Sequence, residues 1–307
     1  MDIKTRSLII NADDFGYNEA ITQGILKGYR EGLITTTSAM VNLPGAPERI
    51  AAARARNPTL PIGLHLNLTA GRPVLQAERV PHLVRPDGTF LPYEAIFPRL
   101  SEIPIDEVRA EISAQAQILI NCGVVFDHID YHQHIMAMVL PLFEVVAELA
   151  EEYNVPVRQP VLKIVPGRFK VGGIDNLGIM LREIGGAFVR KPHRMTRFLS
   201  QIFAYRRLRN DAARLGAPDW FIGAFFNDPT LANFSAILRQ LPSGLSEIMV
   251  HPALEHEELY TMDEGYRAER PRELAVLLDR RARAEVDRLG IRLTDFTSAR
   301  RQGESKG

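Results

Sequence analysis

The feature that most constrains the fold is a regular alternation between short apolar runs and longer amphipathic stretches. RSLIINA at 6–12 is typical of a buried strand, and residues 19–31 have helical spacing behind Asn18, a favoured N-cap. Strands that alternate with helices form parallel sheets, and in a chain of this size they favour an α/β fold of the (β/α) barrel type, regular or distorted. The alternation predicts eight strands, over residues 6–12, 35–41, 61–68, 124–130, 155–159, 219–226, 245–252 and 291–296.

The length and composition of the chain favour one large domain. Of the 307 residues, 46% are hydrophobic and 24% are charged, which is enough apolar material for a substantial core. No linker or internal repeat interrupts the pattern, so we expect a single barrel over residues 1–297. Insertions are expected at about 69–104 and 160–218, and the polar residues 298–307 are expected to form a disordered tail.

Charge and cysteine content exclude several classes of protein. The 37 Lys and Arg residues balance the 37 Asp and Glu residues, which argues against a nucleic-acid partner. The single cysteine, Cys122, cannot form an intrachain disulfide or a cysteine-based zinc site. No apolar run reaches the ~20 residues of a membrane span, and SLII is shorter than the ~7–15 residues of a signal-peptide core. We therefore expect a cytoplasmic protein without a membrane span.

Polar side chains follow several of the predicted strands, at the end where the active sites of (β/α) barrels lie. Parallel strands bring their carboxyl ends to one rim, so these residues are expected to converge although they are distant in sequence. They are Asp13 and Asp14 after the first strand, His65 and Asn67 at the third, His128, Asp130, His132 and His134 at the fourth, Arg158 at the fifth and His251 at the seventh.

Each of these residues also has a structural explanation when it is taken alone. The two adjacent aspartates could cap the following helix, Arg158 could pair with a nearby acid, and His65 could be a packed histidine. HIDYHQH at 128–134 is harder to explain in this way, because three histidines and an aspartate are an unusual filling for a core. Together the residues favour a divalent metal held by a carboxylate and imidazoles, with a second carboxylate as proton acceptor.

Four ordered segments resemble the YdjC-like carbohydrate deacetylases, a family that includes a chitooligosaccharide deacetylase. They are NADDFG at 11–16, GLHLNLT at 63–69, HIDYHQH at 128–134 and VHP at 250–252, and TTTSAMVN at 35–42 is similar to the second strand of the family. The resemblance implies a distorted (β/α) barrel of the polysaccharide-deacetylase type. It also implies hydrolysis of the acetyl group from an N-acetylated sugar or oligosaccharide, with one divalent metal ion, Mg²⁺ or Zn²⁺, as cofactor.

The resemblance also implies roles for individual residues. The metal ligands would be Asp14, His65 and His132, the general base would be Asp13, and His251 would protonate the leaving amine. Four further residues would contact the substrate or support the ligands: Asp130, which would orient a histidine, and His134, Arg158 and Asn67. The expected partner is an N-acetylated carbohydrate, and a homodimer is left open.

Two other functions remain open from the sequence. HQH at 132–134 is similar to the paired histidines of other metal-dependent hydrolases, such as amidohydrolases or phosphoesterases. In amidohydrolases, however, that pair belongs to the first strand, which here ends in Asp13 and Asp14. A non-catalytic sugar-binding barrel is the other alternative. Nucleotide-cofactor enzymes are disfavoured, because the chain contains neither a P-loop nor a GxGxxG motif.

Overall fold

The centre of the protein is a parallel sheet. A computed structural model describes residues 5–160, 207–226, 228–262 and 265–298, and within these residues the sheet has seven strands. The strands are β1 (Arg6–Phe15), β2 (Thr36–Ala39), β3 (Ile62–Leu66), β4 (Ile129–Tyr131), β5 (Trp220–Ile222), β6 (Gly244–Val250) and β7 (Arg292–Leu293). Their order is β4-β3-β2-β1-β6-β5, with β7 paired to β1, and every pairing is parallel. The sheet curls into part of a barrel, which confirms the predicted distorted α/β barrel.

Helices cover the sheet, as the alternating pattern predicted. They include α1 (Glu19–Glu31), α2 (Ala46–Arg56), the short α3 (Tyr93–Ile96), α4 (Ile105–Asn121), α5 (Leu140–Glu152), α6 (Leu231–Gln240), α7 (Glu269–Leu278) and α8 (Arg280–Arg288). Asn18 caps α1 as predicted, since its side chain accepts a hydrogen bond from the backbone N of Ile21 at 2.9 Å. Helix α1 lies beside α7, α4 beside α5, and α6 beside α8. β1 is consequently buried on both faces from Ser7 to Phe15.

The prediction of eight strands is wrong for the described residues. The predicted fifth strand makes a single bridge, between Val157 and Ile129, and does not extend into a ladder. Pro156 has no backbone N–H to donate, so pairing cannot continue in that direction. The fourth strand is also shorter than predicted, because β4 begins only at Ile129 and Val125 is exposed.

The amphipathic spacing of residues 271–290 predicts one long helix, but the structure divides it in two at Asp279. The backbone of Asp279 is extended, and its side chain accepts a hydrogen bond from the backbone N of Arg281 at 2.8 Å. This contact is an N-cap, and it begins α8 directly after α7 ends. The amphipathic spacing continued across the break, so periodicity alone could not locate it.

The predicted insertion at 69–104 is described throughout and docks on α4. Glu111, which is fully buried, accepts hydrogen bonds from the backbone N atoms of Val74 at 2.9 Å and Leu75 at 3.1 Å. PDGTF at 86–90 predicts a turn, and the turn is present, with the backbone N of Gly88 donating to the carbonyl of Arg85 at 2.9 Å. Most of the other insertion, at 160–218, and all but the first residue of the 298–307 tail lie outside the described residues. None of the described helices combines the length and apolarity that crossing a membrane requires.

Candidate active site

Three side chains from separate strands meet at the carboxyl end of the sheet. Asp14 lies at the end of β1, His65 lies in β3, and His132 follows β4. The Oδ1 atom of Asp14 is 3.4 Å from His65 Nε2 and 3.3 Å from His132 Nδ1, and the two nitrogens are 3.4 Å apart. These atoms form a nearly equilateral triangle of one carboxylate oxygen and two imidazole nitrogens, on residues that are all buried.

An irregularity in β1 places Asp14 in this triangle. In a regular strand the adjacent side chains of Asp13 and Asp14 would point to opposite faces of the sheet. The pairing of β1 with β2 shifts register between Ala12 and Phe15, and Asp14 has a left-handed φ of 70°. A bulge of this kind re-aims side chains at the end of a strand. It therefore allows two neighbouring carboxylates to serve one site.

A second local feature separates His132 from His134. The two histidines would share a face if β4 continued, but the strand ends at Tyr131. Gln133 and His134 have left-handed φ values of 52° and 55°. His132 consequently faces Asp14, whereas the ring of His134 packs edge-on against Phe221, with the ring centres 5.2 Å apart. Burial and the charge of Arg158 lower the pKa of His134 to about 3, so its imidazole is neutral.

The triangle fits a divalent metal ion. For metal–ligand bonds of about 2.1 Å, tetrahedral coordination separates neighbouring ligand atoms by about 3.4 Å, the spacing found here. Asp14 Oδ1 is buried and has no hydrogen-bond partner of good geometry in the described part of the chain, only the two imidazole nitrogens. A carboxylate oxygen and two imidazole nitrogens are ligands that several divalent ions accept.

The charge around the site also favours a cation. Among the described residues, three buried aspartates surround it, and two buried arginines offset only part of their charge. The aspartates are Asp13, Asp14 and Asp130, and the arginines are Arg158 and Arg270. A further positive charge in the triangle would reduce the free energy of holding these carboxylates together out of water.

Asp130 orients His65. Its Oδ1 lies 2.8 Å from His65 Nδ1, and its Oδ2 accepts a hydrogen bond from Ser38 Oγ at 2.8 Å. A proton on Nδ1 leaves Nε2, the atom that faces Asp14, as the one able to bind an ion. Burial by itself lowers the pKa of His65, but Asp130 and Asp14 raise it to about 10, so an ion would bind at Nε2 by displacing the proton there. These contacts are those that a supporting role would need, and the role of Asp130 itself stays a prediction.

Asp13 is held by a buried arginine rather than by the triangle. Arg158 donates from Nη2 to Asp13 Oδ1 at 2.6 Å and from Nη1 to Asp13 Oδ2 at 2.7 Å. The same guanidinium contacts Glu247 through Nε at 2.8 Å and lies 2.8 Å from Asp130 Oδ2. A second acidic group, formed by Asp13, Asp130 and His65, could also hold a cation by its spacing, and the Arg158 guanidinium already lies there. Arg158 is fully buried, so its guanidinium contacts these carboxylates from the interior of the protein.

Arg270 is a residue of the site that the sequence did not indicate. It lies in the first turn of α7, is 1% exposed, and its Nη2 is 2.6 Å from Asp14 Oδ2. Burial raises the pKa of Asp14, but Arg270 and the contacts with His132 and His65 hold it well below its usual range. Each of the two adjacent aspartates therefore has its own arginine, and neither pairing could be found from spacing.

His251 lies after β6, at the same end of the sheet. Its backbone N donates to Glu273 of α7, and its ring is edge-on to Phe226, with ring centres 5.1 Å apart. Phe226 stacks on Tyr266 at 3.9 Å, and the Tyr266 hydroxyl donates to Glu273 at 2.6 Å. The imidazole therefore stands against an aromatic wall whose position Glu273 fixes.

The buried carboxyl of Glu273 predicts a distinct pH dependence of stability. Burial raises its pKa from 4.5 to about 7, so between these values the folded chain keeps a proton that the unfolded chain loses. The free energy of unfolding should fall as the pH rises through this window. Glu273→Gln has no such proton and can still accept from His251 and donate to Tyr266. The free energy of unfolding of Glu273→Gln, taken relative to that of the wild type, should rise by about 3 kcal/mol as the pH increases from 4.5 to about 7.

Urea unfolding at a series of pH values measures this difference. Glu257→Gln changes an exposed acid of the same charge and is the matched control, for which the two curves should stay parallel. Parallel curves for Glu273→Gln and the wild type would show that Glu273 does not hold the extra proton.

Two of the residues grouped at the rim by the sequence make structural contacts outside the triangle. Asn67 organises the turn after β3, where its Oδ1 accepts from the N atoms of Thr69 and Ala70 at 2.9 and 3.0 Å. His128 stacks on Phe296 with ring centres 3.9 Å apart and bonds to Asp127, so it does not join the triangle. A role for Asn67 toward a substrate stays a prediction.

Glu247, Glu273 and Arg270 are the main residues that sequence reasoning missed. Glu247 stands inside the β6 sequence LSEIMV, where a charged residue within an apolar strand was a signal that could have been used. Burial raises the pKa of Glu247 to about 7. Arg270 and Glu273 lie in the charged stretch RAERPRE at 267–273, and no local pattern separates them from its other charged residues.

Comparison with known proteins adds independent information. The model of the family described as YdjC-like protein matches residues 7–288. A carbohydrate deacetylase of Clostridium beijerinckii is 40% identical over 151 residues, which are 49% of this chain and 59% of that protein. For the carbohydrate deacetylase of Brevibacillus brevis the match is 41% identical and spans 60% of the relative. The carbohydrate deacetylase of Thermoanaerobacter pseudethanolicus is 29% identical over 295 residues, 94% of this chain and 98% of the relative.

A solved structure is similar over almost the whole chain. It is an Enterococcus faecalis protein described as a candidate cellobiose-phosphate cleavage protein, with a TM-score of 0.75 and 28% sequence identity. The match covers 96% of this chain and 98% of that one. The likeness therefore extends to the fold as well as the sequence.

Proposed function

The chain belongs to the family of YdjC-like proteins, and we propose that it hydrolyses the acetyl group from an N-acetylated sugar or oligosaccharide. The observation that carries the proposal is the buried triangle of Asp14, His65 and His132 with a second carboxylate, Asp13, beside it. Relatives that are named carbohydrate deacetylases support the substrate class.

Asp14, His65 and His132 would hold one divalent ion, Mg²⁺ or Zn²⁺, in this enzyme. When bound, such an ion polarises the acetamide carbonyl and makes water a better nucleophile at neutral pH. Asp130 Oδ1 accepts a hydrogen bond from Nδ1 of His65 at 2.8 Å, so Nε2 is the nitrogen that faces the triangle.

Asp13 is proposed to accept the proton of the attacking water. Arg158 and Asn11 fix its carboxylate, because Oδ1 accepts from both of them and Oδ2 accepts from Arg158. A carboxylate oxygen can accept two hydrogen bonds, so Oδ2 keeps a site for the incoming proton. The arginine holds the general base in one orientation, which is the main requirement for rapid proton transfer.

His251 is proposed to donate a proton to the nitrogen of the leaving amine. Its ring is confined by Phe226 and Tyr266, and its backbone is fixed by Glu273. The proposed acid would lie after β6 and the proposed base near the carboxyl end of β1, and these two strands are neighbours in the sheet. A proton removed on one side of the amide and one delivered on the other complete the hydrolysis to free amine and acetate.

The first test is metal content together with acetate release. The wild type, purified without chelator and reloaded with divalent ions, should bind about one ion per chain and release acetate from N-acetylated oligosaccharides. His132→Ala removes one corner of the triangle and should lose both the ion and the activity. His82→Ala is the matched control, since His82 pairs with Glu107 on the surface, away from the triangle. A wild type that binds no ion under any loading condition would rule out this mechanism.

A further inference from the structure

Arg270 contacts the oxygen of Asp14 that does not face the imidazoles. Its Nη2 lies 2.6 Å from Oδ2, while Oδ1 faces His65 and His132 at 3.4 and 3.3 Å. Asp14 is 0% exposed and Arg270 is 1% exposed. In such a dry environment a charge-assisted hydrogen bond is strong, and breaking it leaves a buried charge without compensation. The two oxygens of Asp14 are therefore not interchangeable.

The position of Arg270 is set by parts of the protein other than Asp14. Its Nε donates to the carbonyl of Tyr266 at 3.0 Å, and its own carbonyl accepts from the backbone N of Ala253 at 3.3 Å. One turn later in the same helix, Glu273 accepts the backbone N of His251. The start of α7 thus holds both Asp14 and the segment that carries His251.

We propose that Arg270 is a positioning residue that restricts Asp14 to a single ligand oxygen. Carboxylates bind metal ions through one oxygen or through both. Binding through both would fill a coordination position that water or the substrate carbonyl needs. By holding Oδ2, Arg270 keeps that position open. The inference rests on the proposed metal site and adds the residue that sets its coordination number.

Co²⁺ is a suitable probe because its visible absorption weakens as its coordination number rises. In Arg270→Met both oxygens of Asp14 become available, and the site gains one unit of net negative charge. Bound Co²⁺ should therefore absorb visible light more weakly in this variant. It should also bind about tenfold more tightly, which is the size of effect that groups supporting metal ligands usually have. If Arg270 served only to hold the fold together, its loss would weaken Co²⁺ binding instead.

The experiment compares four proteins by chelator-competition titration and by the Co²⁺ spectrum. They are the wild type, Arg270→Met, Arg270→Gln and, as the matched control, Arg272→Met, which removes an exposed arginine from the same helix. Arg272→Met should match the wild type in both measurements. Arg270→Gln is too short to reach Asp14 but keeps a polar head group, so it should behave as Arg270→Met and is the variant more prone to fold.

The outcomes separate this inference from the proposed function. A wild type that binds no Co²⁺ would overturn the metal site and the role of Arg270 together. A wild type that binds Co²⁺, with the same spectrum and affinity in Arg270→Met and Arg270→Gln, would overturn only the role of Arg270. Weaker binding in both variants, or failure of both to fold with Co²⁺ present, would also overturn it, because Arg270 would then be a structural residue.

Discussion

Asp13→Asn is expected to lower kcat for deacetylation by about 10²–10⁴-fold, the contribution of a general base, with metal content near that of the wild type. The substitution keeps the shape of the side chain and removes its ability to take a proton. Because Asp13 contacts Arg158 and Asn11 rather than the triangle, the ligands Asp14, His65 and His132 stay in place. Initial rates of acetate release and metal content per chain are the two measurements.

Glu247→Gln is the control for the Asp13 variant. Glu247 contacts the same guanidinium, with Arg158 Nε 2.8 Å from its Oε1, but it has no role in the proposed proton transfer. Both variants disturb Arg158, and only Asp13→Asn removes the base. An equal loss of kcat in the two variants would assign the effect to the arginine network. A near-normal kcat in Asp13→Asn would remove Asp13 from the mechanism.

Arg158→Met is expected to produce the largest loss of stability, about 3–5 kcal/mol or more in the free energy of unfolding. The methionine fills much of the same volume, so the loss comes from charge. Asp13, Asp130 and Glu247 all contact this guanidinium, and each is buried. Without it, three carboxylates lose a counter-charge in a region that water does not reach. Urea unfolding near neutral pH measures the effect.

Arg109→Met is the matched control for the effect of burial. Arg109 also contacts two acids, Asp106 at 2.6 Å and Glu148 at 3.0 Å, but its side chain is 44% exposed. Water screens these pairs, so the expected loss is about 0–1 kcal/mol. If Arg158→Met does not accumulate as folded protein, Arg158→Lys should fold with an intermediate loss. Losses of similar size in Arg109→Met and in the Arg158 variants would refute the importance of the buried network.

Two features of the sequence predicted most of the fold and the place of the site. They are the alternation of strands with helices and the polar residues at the ends of the strands. Asp14, His65 and His132 meet because parallel strands place their carboxyl ends at one edge, and this geometry follows from the fold class alone. The family resemblance supplied the roles, and the match of the family model over residues 7–288 confirms the family. The strand count failed at 155–159, where Pro156 limits pairing to a single bridge.

The sequence by itself indicated the class of fold and a rim of polar residues, because these depend on local pattern and on the rule that parallel strands end together. The family resemblance then selected Asp14, His65 and His132 from that rim as candidate ligands. The tertiary structure decided how the charges are paired. Asp13 and Arg158 are 145 residues apart and Asp14 and Arg270 are 256 apart, so each pair forms only once the sheet and α7 are assembled. The bulge at Asp14 likewise depends on register with β2. Long-range pairing and register leave no periodic trace in a single sequence, whereas strand ends do.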